Sequence, residues 1–218
     1  LCQGIKDAYN LVWKINGIDK HHYSKKILDT YTIERSEVVT FAIETAIKQQ
    51  NIIASQSMIK SFLRDLFLRT AAFFPKLLSF LSFSYPWNYS NGIIDNNLYP
   101  NDVNGIIIPQ PNLKLRVNDL PFDQYIGDEF ALLLFKCDHV FLEKINSLSN
   151  INIFNNNIFQ VDENHIFNED TEFFNWHNDK NLTAVIIKPD KHVYGAITDS
   201  MKLENIEKLI NKLHNDLF

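Results

Sequence analysis

The chain has 218 residues, of which 45% are hydrophobic, and its 21 basic and 26 acidic side chains give a formal net charge of −5. This acidic balance, without a long basic run, argues against a nucleic-acid partner. The length suits one large domain or one domain plus a piece of another, and we favour the second. The two cysteines, Cys2 and Cys137, lie far apart in the sequence, which predicts a cytoplasmic protein without a disulfide framework.

The first segment predicts an amphipathic helix with one buried stripe. Its apolar residues recur at three- and four-residue spacing: Ile5, Ala8, Leu11, Val12 and Ile15. The sequence begins with Leu1 and reads as a helix from there, so we expect further polypeptide upstream. The first N–H groups of such a helix lack partners within it and carry partial positive charge, which suits an electron-rich ligand.

A second helical segment is predicted to begin at Ser24, a plausible cap, and to continue to about residue 53 as one helix or two in line. Glu34 and Arg35 are adjacent within it. We interpret them as solvated or locally paired surface charges with a structural role, since most adjacent charges on a helix are of that kind.

Residues 58–83 form the most apolar stretch of the chain. Charged residues interrupt it every few positions: Lys60, Arg64, Asp65, Arg69 and Lys76. That density of charge excludes a membrane span. We predict a helix over 56–74 and a short one to about 81, which face the core or a second subunit of a homo-oligomer, with a helix at a membrane interface as the alternative.

Residues 85–104 are rich in Pro, Gly, Ser and Asn and predict a linker. The pattern after it is mixed, of an α+β or α/β type. The predicted elements are a strand over 130–135, a helix over 138–148 with Val140, Phe141 and Ile145 facing inward, a strand over 158–161, a hairpin of 183–188 and 192–197 around Pro189-Asp190-Lys191, and a helix over 203–217. This order fits a thioredoxin-like unit.

Cys137 follows the first of these strands, close to where a thioredoxin carries its dithiol, but position 140 is Val. We therefore expect no disulfide exchange and interpret Cys137 as a small buried hydrophobic residue. His21 and His22 lie near Asp19, but adjacent side chains seldom converge on one ion and no third ligand has a recognisable spacing. The sequence predicts no metal site.

Several motifs, in order along the chain, resemble landmarks of the FAD-dependent aromatic hydroxylases. Residues 1–14, which read LCQGIKDAYNLVWK, resemble the second half of the late flavin-binding motif of that family. Residues 28–35, LDTYTIER, resemble its next landmark at about the expected distance. Residues 105–111, 127–133 and 188–195 extend the likeness to the C-terminal domain of the phenol hydroxylase and 3-(3-hydroxyphenyl)propionate hydroxylase branch.

The resemblance implies a class A monooxygenase that hydroxylates a small phenolic aromatic substrate with FAD, O2, and NADH or NADPH. It implies the C-terminal helical part of a FAD-binding domain over 1–84, a linker over 85–104, and a thioredoxin-like domain without CxxC over 105–218. The choice among phenol, hydroxyphenylpropionate and a polyketide-like aromatic as substrate stays open.

The resemblance also assigns the cofactor-binding residues. The backbone N–H groups of Leu1 and Cys2 would face the pyrimidine edge of the flavin, and Gly4 would permit close approach. No GxGxxG fingerprint is present in the chain. We therefore expect a C-terminal fragment that alone neither retains FAD nor hydroxylates a substrate.

Two other classes of function remain open. The chain could be a non-catalytic binding or oligomerisation module that joins a redox-silent thioredoxin-like domain to a helical arm, with residues 58–83 as the contact surface. A stand-alone thiol oxidoreductase would need a second cysteine near Cys137, and the sequence has none there.

Overall fold

We describe a computed structural model of the protein over residues 2–54, 57–71, 88–99, 102–109, 124, 126–135, 137–161, 171–198 and 202–218. The chain divides into two compact units, one of residues 1–35 with 88–218 and one of residues 36–87. This division differs from the predicted helical domain over 1–84. Residues 1–35 pack with the C-terminal half because their buried side chains find partners there.

The first unit begins with helix α1 (Cys2–His21). A short 3-10 helix (Lys25–Leu28) connects α1 to helix α2 (Asp29–Ile53). As predicted, Ser24 caps this segment, because its side chain accepts a hydrogen bond from the N–H group of Lys26. The prediction of continuous helical structure to residue 53 is confirmed.

The buried face of α1 is not the apolar stripe that the sequence predicts. Its buried residues are Asn10, Trp13, Lys14 and Gly17. The side chains of the predicted stripe are mostly exposed: Ile5, Ala8, Val12 and Ile15. The prediction was wrong because it assumed that apolar residues face inward, whereas the two polar residues have buried ionic partners within this unit.

Four strands form one sheet in the order β2-β1-β3-β4. The strands are β1 (Ala131–Phe135), β2 (Ile158–Val161), β3 (Ala184–Ile187) and β4 (Val193–Ile197). Strand β1 pairs in parallel with β2 and antiparallel with β3, and β3 pairs antiparallel with β4. These pairings confirm the two predicted strands, over 130–135 and 158–161, and the predicted hairpin.

The sheet is buried on both faces, so its strands read as apolar runs rather than as alternating patterns. On one face Leu132 and Ile186 pack in a core with Leu209 and Leu213 of helix α6 (Leu203–Leu217). The bounds of α6 confirm the predicted closing helix.

The other face of the sheet carries Leu133 and Val185, which share a core with Phe173 of a helix over Thr171–Asp179. This helix, α5, is absent from the sequence prediction. It is only nine residues long and lies in a polar, Asn-rich stretch, so its few apolar residues give too short a periodic signal.

Helix α4 (His139–Asn146) lies between β1 and β2 in the sequence. Asp138 caps it by accepting a hydrogen bond from the Phe141 N–H group at 2.7 Å. Ile145 is fully buried and Phe141 packs against the core, as predicted. The prediction for Val140 was wrong, because that side chain is 60% exposed at the first turn of the helix.

The predicted linker packs into the first unit where the structure describes it. Tyr89, Ile93 and Ile94 are buried. The chain turns at Asp95, whose carboxylate accepts hydrogen bonds from the N–H groups of Leu98 and Tyr99 at 2.8 and 2.7 Å. These local bonds satisfy the backbone where no regular element does, so a Pro-, Gly- and Asn-rich composition here indicates a packed turn region.

The second unit contains the remainder of α2 and helix α3 (Met58–Ala71), within the predicted helix over 56–74. One stretch of α3 exposes large apolar side chains: Met58, Ile59, Phe62, Leu63, Leu66 and Phe67. The predicted short helix to about residue 81 lies outside the described residues. Among the helices that the structure describes, none has the length and hydropathy needed to cross a membrane.

Candidate functional site

A buried carboxylate, Glu34, is the centre of a charged network in the first unit. Its Oε2 atom accepts a hydrogen bond from Lys14 Nζ at 2.7 Å, and its Oε1 atom accepts one from Lys188 Nζ at 3.1 Å. The N–H group of Ile93 also donates to Oε1 at 2.9 Å. Glu34 and both lysines have no exposed side-chain surface. Helices α1 and α2, the turn region and the sheet therefore meet at one carboxylate.

Asp190 supplies the second carboxylate of this network from the turn between β3 and β4. It lies 3.6 Å from Lys188 Nζ, and its Oδ1 atom is 3.3 Å from His192 Nδ1. The Asn10 amide group donates to both carboxylates, to Glu34 Oε2 and to Asp190 Oδ2, at 2.8 Å each. Asn10 thus bridges the two acidic groups from α1.

The electrostatics of the network favour two carboxylates and a charged Lys188. Burial alone would raise the pKa of Glu34, but Lys188 and Lys14 lower it below its ordinary value. Burial would likewise raise the pKa of Asp190, and Lys188 is the main group that lowers it instead. Burial would lower the pKa of Lys188, but Asp190 and Glu34 raise it.

Aromatic rings pack against the charged groups. Lys188 Nζ lies 4.6 Å from the centre of the Tyr89 ring, which stacks on the His192 ring with 3.9 Å between centroids. Burial raises the pKa of Tyr89 to about 12. The charged groups of this network are therefore buried and contact one another.

Arg35, the neighbour of Glu34, reaches the first two turns of α1. Its Nε atom donates to Asp7 Oδ1 at 2.5 Å, and its Nη2 atom donates to Gln3 Oε1 at 3.0 Å. The interpretation of Glu34 and Arg35 as solvated or locally paired charges was wrong. Both are buried, and each holds a different part of α1.

The predicted cofactor-binding residues lie at the start of α1. Leu1 lies outside the described residues, and Cys2 is the first residue of the helix. Gly4 is exposed, and a Cβ atom placed there would meet nothing within 4 Å. The first turn contains no acidic side chain. The first turn of α1 is therefore open at Gly4 and carries no carboxylate of its own that would compete with an electron-rich ligand.

Cys137 is a buried free thiol. Its Sγ atom donates to the backbone oxygen of Asp138 at 3.2 Å, and burial raises the pKa of the thiol. A raised pKa reduces the thiolate fraction, so this environment opposes nucleophilic chemistry. Within the described ranges, no group of three or more His, Cys, Asp or Glu residues could hold a metal ion.

Comparison with known proteins identifies larger relatives. No protein-family model matches the chain. A 3-(3-hydroxy-phenyl)propionate/3-hydroxycinnamic acid hydroxylase of Burkholderia cenocepacia is 27% identical over 139 residues, 62% of this chain and 25% of the relative. The corresponding hydroxylase of Escherichia coli O157:H7 is 21% identical over 229 residues, 96% of this chain and 41% of the relative.

Solved structures show the same fold. A ternary complex of aklavinone-11 hydroxylase with FAD and aklavinone matches 98% of this chain and 40% of that protein, with a TM-score of 0.64 and 14% sequence identity. OxyS anhydrotetracycline hydroxylase from Streptomyces rimosus matches 96% of this chain and 40% of that protein, with a TM-score of 0.57 and 17% identity.

The chain resembles the C-terminal part of an FAD-dependent aromatic hydroxylase. It spans about 23% to 41% of the length of the curated hydroxylases that it matches. The resemblance predicted from the sequence motifs is thereby confirmed.

Most residues of the charged network were not predicted from the sequence. Asn10 and Lys14 lie four residues apart on α1, a spacing that is typical of a solvated helix face. Lys188 and Asp190 were predicted only as parts of a hairpin and of a stretch that resembles hydroxylases, without a role in a charged network. One signal could have predicted the network. Lys188 and Asp190 directly follow an apolar strand that ends at Ile187, and charges at the end of a buried strand need partners.

Proposed function

We propose that this chain forms the C-terminal part of a flavin-dependent monooxygenase that hydroxylates a phenolic aromatic compound. The observation that carries the proposal is the similarity to a hydroxylase over 96% of the chain. Bound FAD would supply the redox chemistry, accepting reducing equivalents from NADH or NADPH and activating O2 so that one oxygen atom reaches the ring.

In this proposal the residues that meet the cofactor are Leu1, Cys2 and Gly4. The backbone N–H groups at the tip of α1 would hold the pyrimidine edge of the flavin ring, where reduction places negative charge. The dipole of α1 would favour that charge by about 1 kcal/mol. The absence of an acidic residue in the first turn and the open space at Gly4 support this role.

The buried network then has a positioning role. Lys14 and Asn10 fix the middle of α1 to Glu34, and Arg35 fixes its first two turns through Asp7. A flavin-binding tip must be held within a fraction of an ångström to act on a developing charge. The network provides that rigidity without contacting the cofactor.

We further propose that residues 105–218 form a redox-silent thioredoxin-like domain. The strand order β2-β1-β3-β4, with one parallel and two antiparallel pairs, and a helix between β1 and β2 support this assignment. Cys137 is its single cysteine, so the domain has no dithiol with which to exchange electrons. The two cysteines, Cys2 and Cys137, lie far apart in the sequence, which also supports a cytoplasmic location.

Two experiments test the hydroxylase proposal. The recombinant 218-residue chain is titrated with FAD, and we expect no retained flavin spectrum after desalting, since most of a hydroxylase lies outside this segment. A protein extended to the length of the relatives is assayed for NADH or NADPH oxidation that depends on a phenolic substrate. If NADH or NADPH is oxidised but no hydroxylated product forms from any phenol tested, the proposal is contradicted.

The second candidate is a non-catalytic binding or oligomerisation module. The apolar surface of α3 favours it, since Met58 is 89% exposed and five further large apolar side chains of α3 are also exposed. Such a module would self-associate or bind a partner through α3, and Phe62→Asp would abolish that association. If the hydroxylase proposal is correct, the extended protein instead oxidises NADH or NADPH in the presence of a phenolic substrate.

A further inference from the structure

Three of the six glycines of the chain, Gly17, Gly92 and Gly105, directly follow an asparagine, and each is followed by an isoleucine. An Asn-Gly pair can react with itself, because the backbone nitrogen of the glycine can attack the amide carbon of the asparagine side chain. Glycine favours the attack since it has no side chain to obstruct it. The local sequence of the three pairs is nearly the same, so the fold decides which pair reacts.

The first pair, Asn16 and Gly17, lies inside helix α1. A helix fixes ψ near about −42°, which holds the attacking nitrogen away from the amide carbon of the preceding side chain. Gly17 is also buried, and a Cβ atom there would lie 2.2 Å from Cδ2 of Tyr23. The helix and this packing therefore protect Asn16.

Hydrogen bonds hold the third pair, Asn104 and Gly105. The Asn104 amide nitrogen donates to two backbone oxygens of the turn region, at 2.5 and 2.8 Å. Its Oδ1 atom accepts a hydrogen bond from the Ala196 N–H group at 3.0 Å. The Gly105 nitrogen, which would have to attack, donates to the backbone oxygen of Val193 at 2.8 Å. Both reacting groups are thus fixed by other contacts.

Asn91, in the remaining pair, lies in a bend, and its side chain is exposed to solvent. The bend separates two buried residues, Tyr89 and Ile93. Gly92 has φ of +110°, outside the conformations of helices and strands. Among the three pairs, this one combines an exposed asparagine with irregular backbone, and solvent water can reach the reacting atoms.

We propose that Asn91 is a site of spontaneous deamidation. The Gly92 nitrogen loses its proton and bonds to Asn91 Cγ, the Cγ–Nδ2 bond breaks, and ammonia leaves. Water then opens the resulting cyclic imide at one of its two carbonyl groups. Opening at the main-chain carbonyl gives isoaspartate, and opening at the side-chain carbonyl gives aspartate. The reaction consumes only water and is independent of the hydroxylase proposal.

Isoaspartate at position 91 would loosen the turn region from Glu34, because it inserts an extra carbon atom into the main chain. On one side of Asn91, the Ile93 N–H group donates to Glu34 Oε1 at 2.9 Å. On the other side, the Asn96 amide donates to the backbone oxygen of Ser90 at 2.8 Å. These two hydrogen bonds fix the spacing around Asn91, so a longer main chain cannot keep both unchanged.

An ageing experiment on the natural protein tests the site. The protein is incubated at mildly alkaline pH, and peptide mass spectrometry follows deamidation at Asn16, Asn91 and Asn104. In the folded protein we expect Asn91 to react at least about tenfold faster than the other two, which the fold protects. In denaturant we expect the three rates to agree within about threefold. Equal rates in the folded protein, or the same preference for Asn91 in denaturant, would overturn the proposal.

Urea unfolding tests the consequence for the fold. We expect the aged protein to unfold at a lower urea concentration than fresh protein, whereas aged Asn91→Gln, which lacks the reactive pair, unfolds like its fresh form. Fresh Asn91→Asp adds the charge without lengthening the main chain, and we expect it to unfold like the unaltered protein. An unchanged midpoint after conversion of Asn91 would overturn the loosening of Glu34. A fresh Asn91→Asp as unstable as the aged protein would assign the loss to charge and overturn the role of the longer main chain.

Discussion

Glu34 Oε1 lies 3.1 Å from Lys188 Nζ, although the two residues are 154 positions apart in the sequence, and neither side chain is exposed to solvent. This contact joins a helix near the start of the chain to the turn of the C-terminal hairpin. A buried ion pair of this kind is sensitive to the loss of one partner, because the other charge stays buried without compensation.

Glu34→Gln should therefore destabilise the protein by about 3–5 kcal/mol. The amide cannot balance the charges of Lys14 and Lys188. Chemical denaturation followed by circular dichroism measures the change in the free energy of unfolding. The matched control is Glu44→Gln, an exposed carboxylate on the same helix, for which we expect a change within about 0.5 kcal/mol.

A double-mutant cycle tests whether the effect comes from the contact itself. We expect Glu34→Gln and Lys188→Met to be non-additive by about 0.5–3 kcal/mol, because each substitution removes the same ion pair. Additive effects would show that the two side chains do not interact in solution.

The lowered pKa values of Glu34 and Asp190 predict acid sensitivity. A carboxylate whose folded pKa is below its unfolded value stabilises the protein fully above the unfolded pKa, near 4, and this contribution is lost as the pH falls further. We expect the free energy of unfolding to fall steeply below about pH 4. For Asp190→Asn, the free energy of unfolding, measured by chemical denaturation at each pH, should depend less steeply on pH. An unchanged slope would contradict the lowered pKa of Asp190.

Two glycines should respond differently to the same substitution. Gly92 has φ of +110°, and a Cβ atom there would collide with the Glu34 side chain, so Gly92→Ala should cost at least about 1–3 kcal/mol. Gly4 lies in the first turn of α1 with open space around it, so Gly4→Ala should be neutral or stabilise by up to about 1 kcal/mol. Thermal unfolding measures the stability of both variants. Equal losses of stability would contradict the placement of Glu34 beside Gly92.

The thiol of Cys137 should be slow to react. Burial raises its pKa and lowers its thiolate fraction, so we expect alkylation by iodoacetamide at neutral pH to be at least about tenfold slower in the folded protein than in denaturant. Peptide mass spectrometry follows the rate at this residue alone. Rapid labelling of Cys137 in the folded protein would contradict this prediction and would favour a chemical role for the thiol.

The sequence predicted regular elements well where hydrophobic periodicity is long. Helix α6 and the hairpin of β3 and β4 have strong apolar patterns, and the structure places them as predicted. Helix α5 was missed because nine residues in a polar stretch give little periodic signal. Hydrophobic periodicity reports only on residues that are close in sequence. It therefore predicts a helix or strand correctly where local preference and tertiary packing agree.

The candidate site was less accessible to sequence reasoning. Burial of Asn10 and Lys14 depends on partners such as Asp190, which no local pattern connects to α1. The predicted orientation of α1 was wrong for the same reason. The apolar spacing was assumed to mark the buried face, whereas distant polar partners decide which face is buried. Motif likeness did identify residues 28–35 as a landmark, but it gave no indication that Glu34 is the centre of a buried network.

The most direct test of the hydroxylase account is the ratio of flavin to polypeptide in the natural protein. The gene product is purified from its source cells under native conditions, and heat-released flavin is identified by mass spectrometry and quantified against the polypeptide. We expect about one FAD per polypeptide, bound in a protein that includes this segment or in a complex with it. A natural protein that contains the segment and purifies with no flavin, even after reconstitution with FAD, would contradict it.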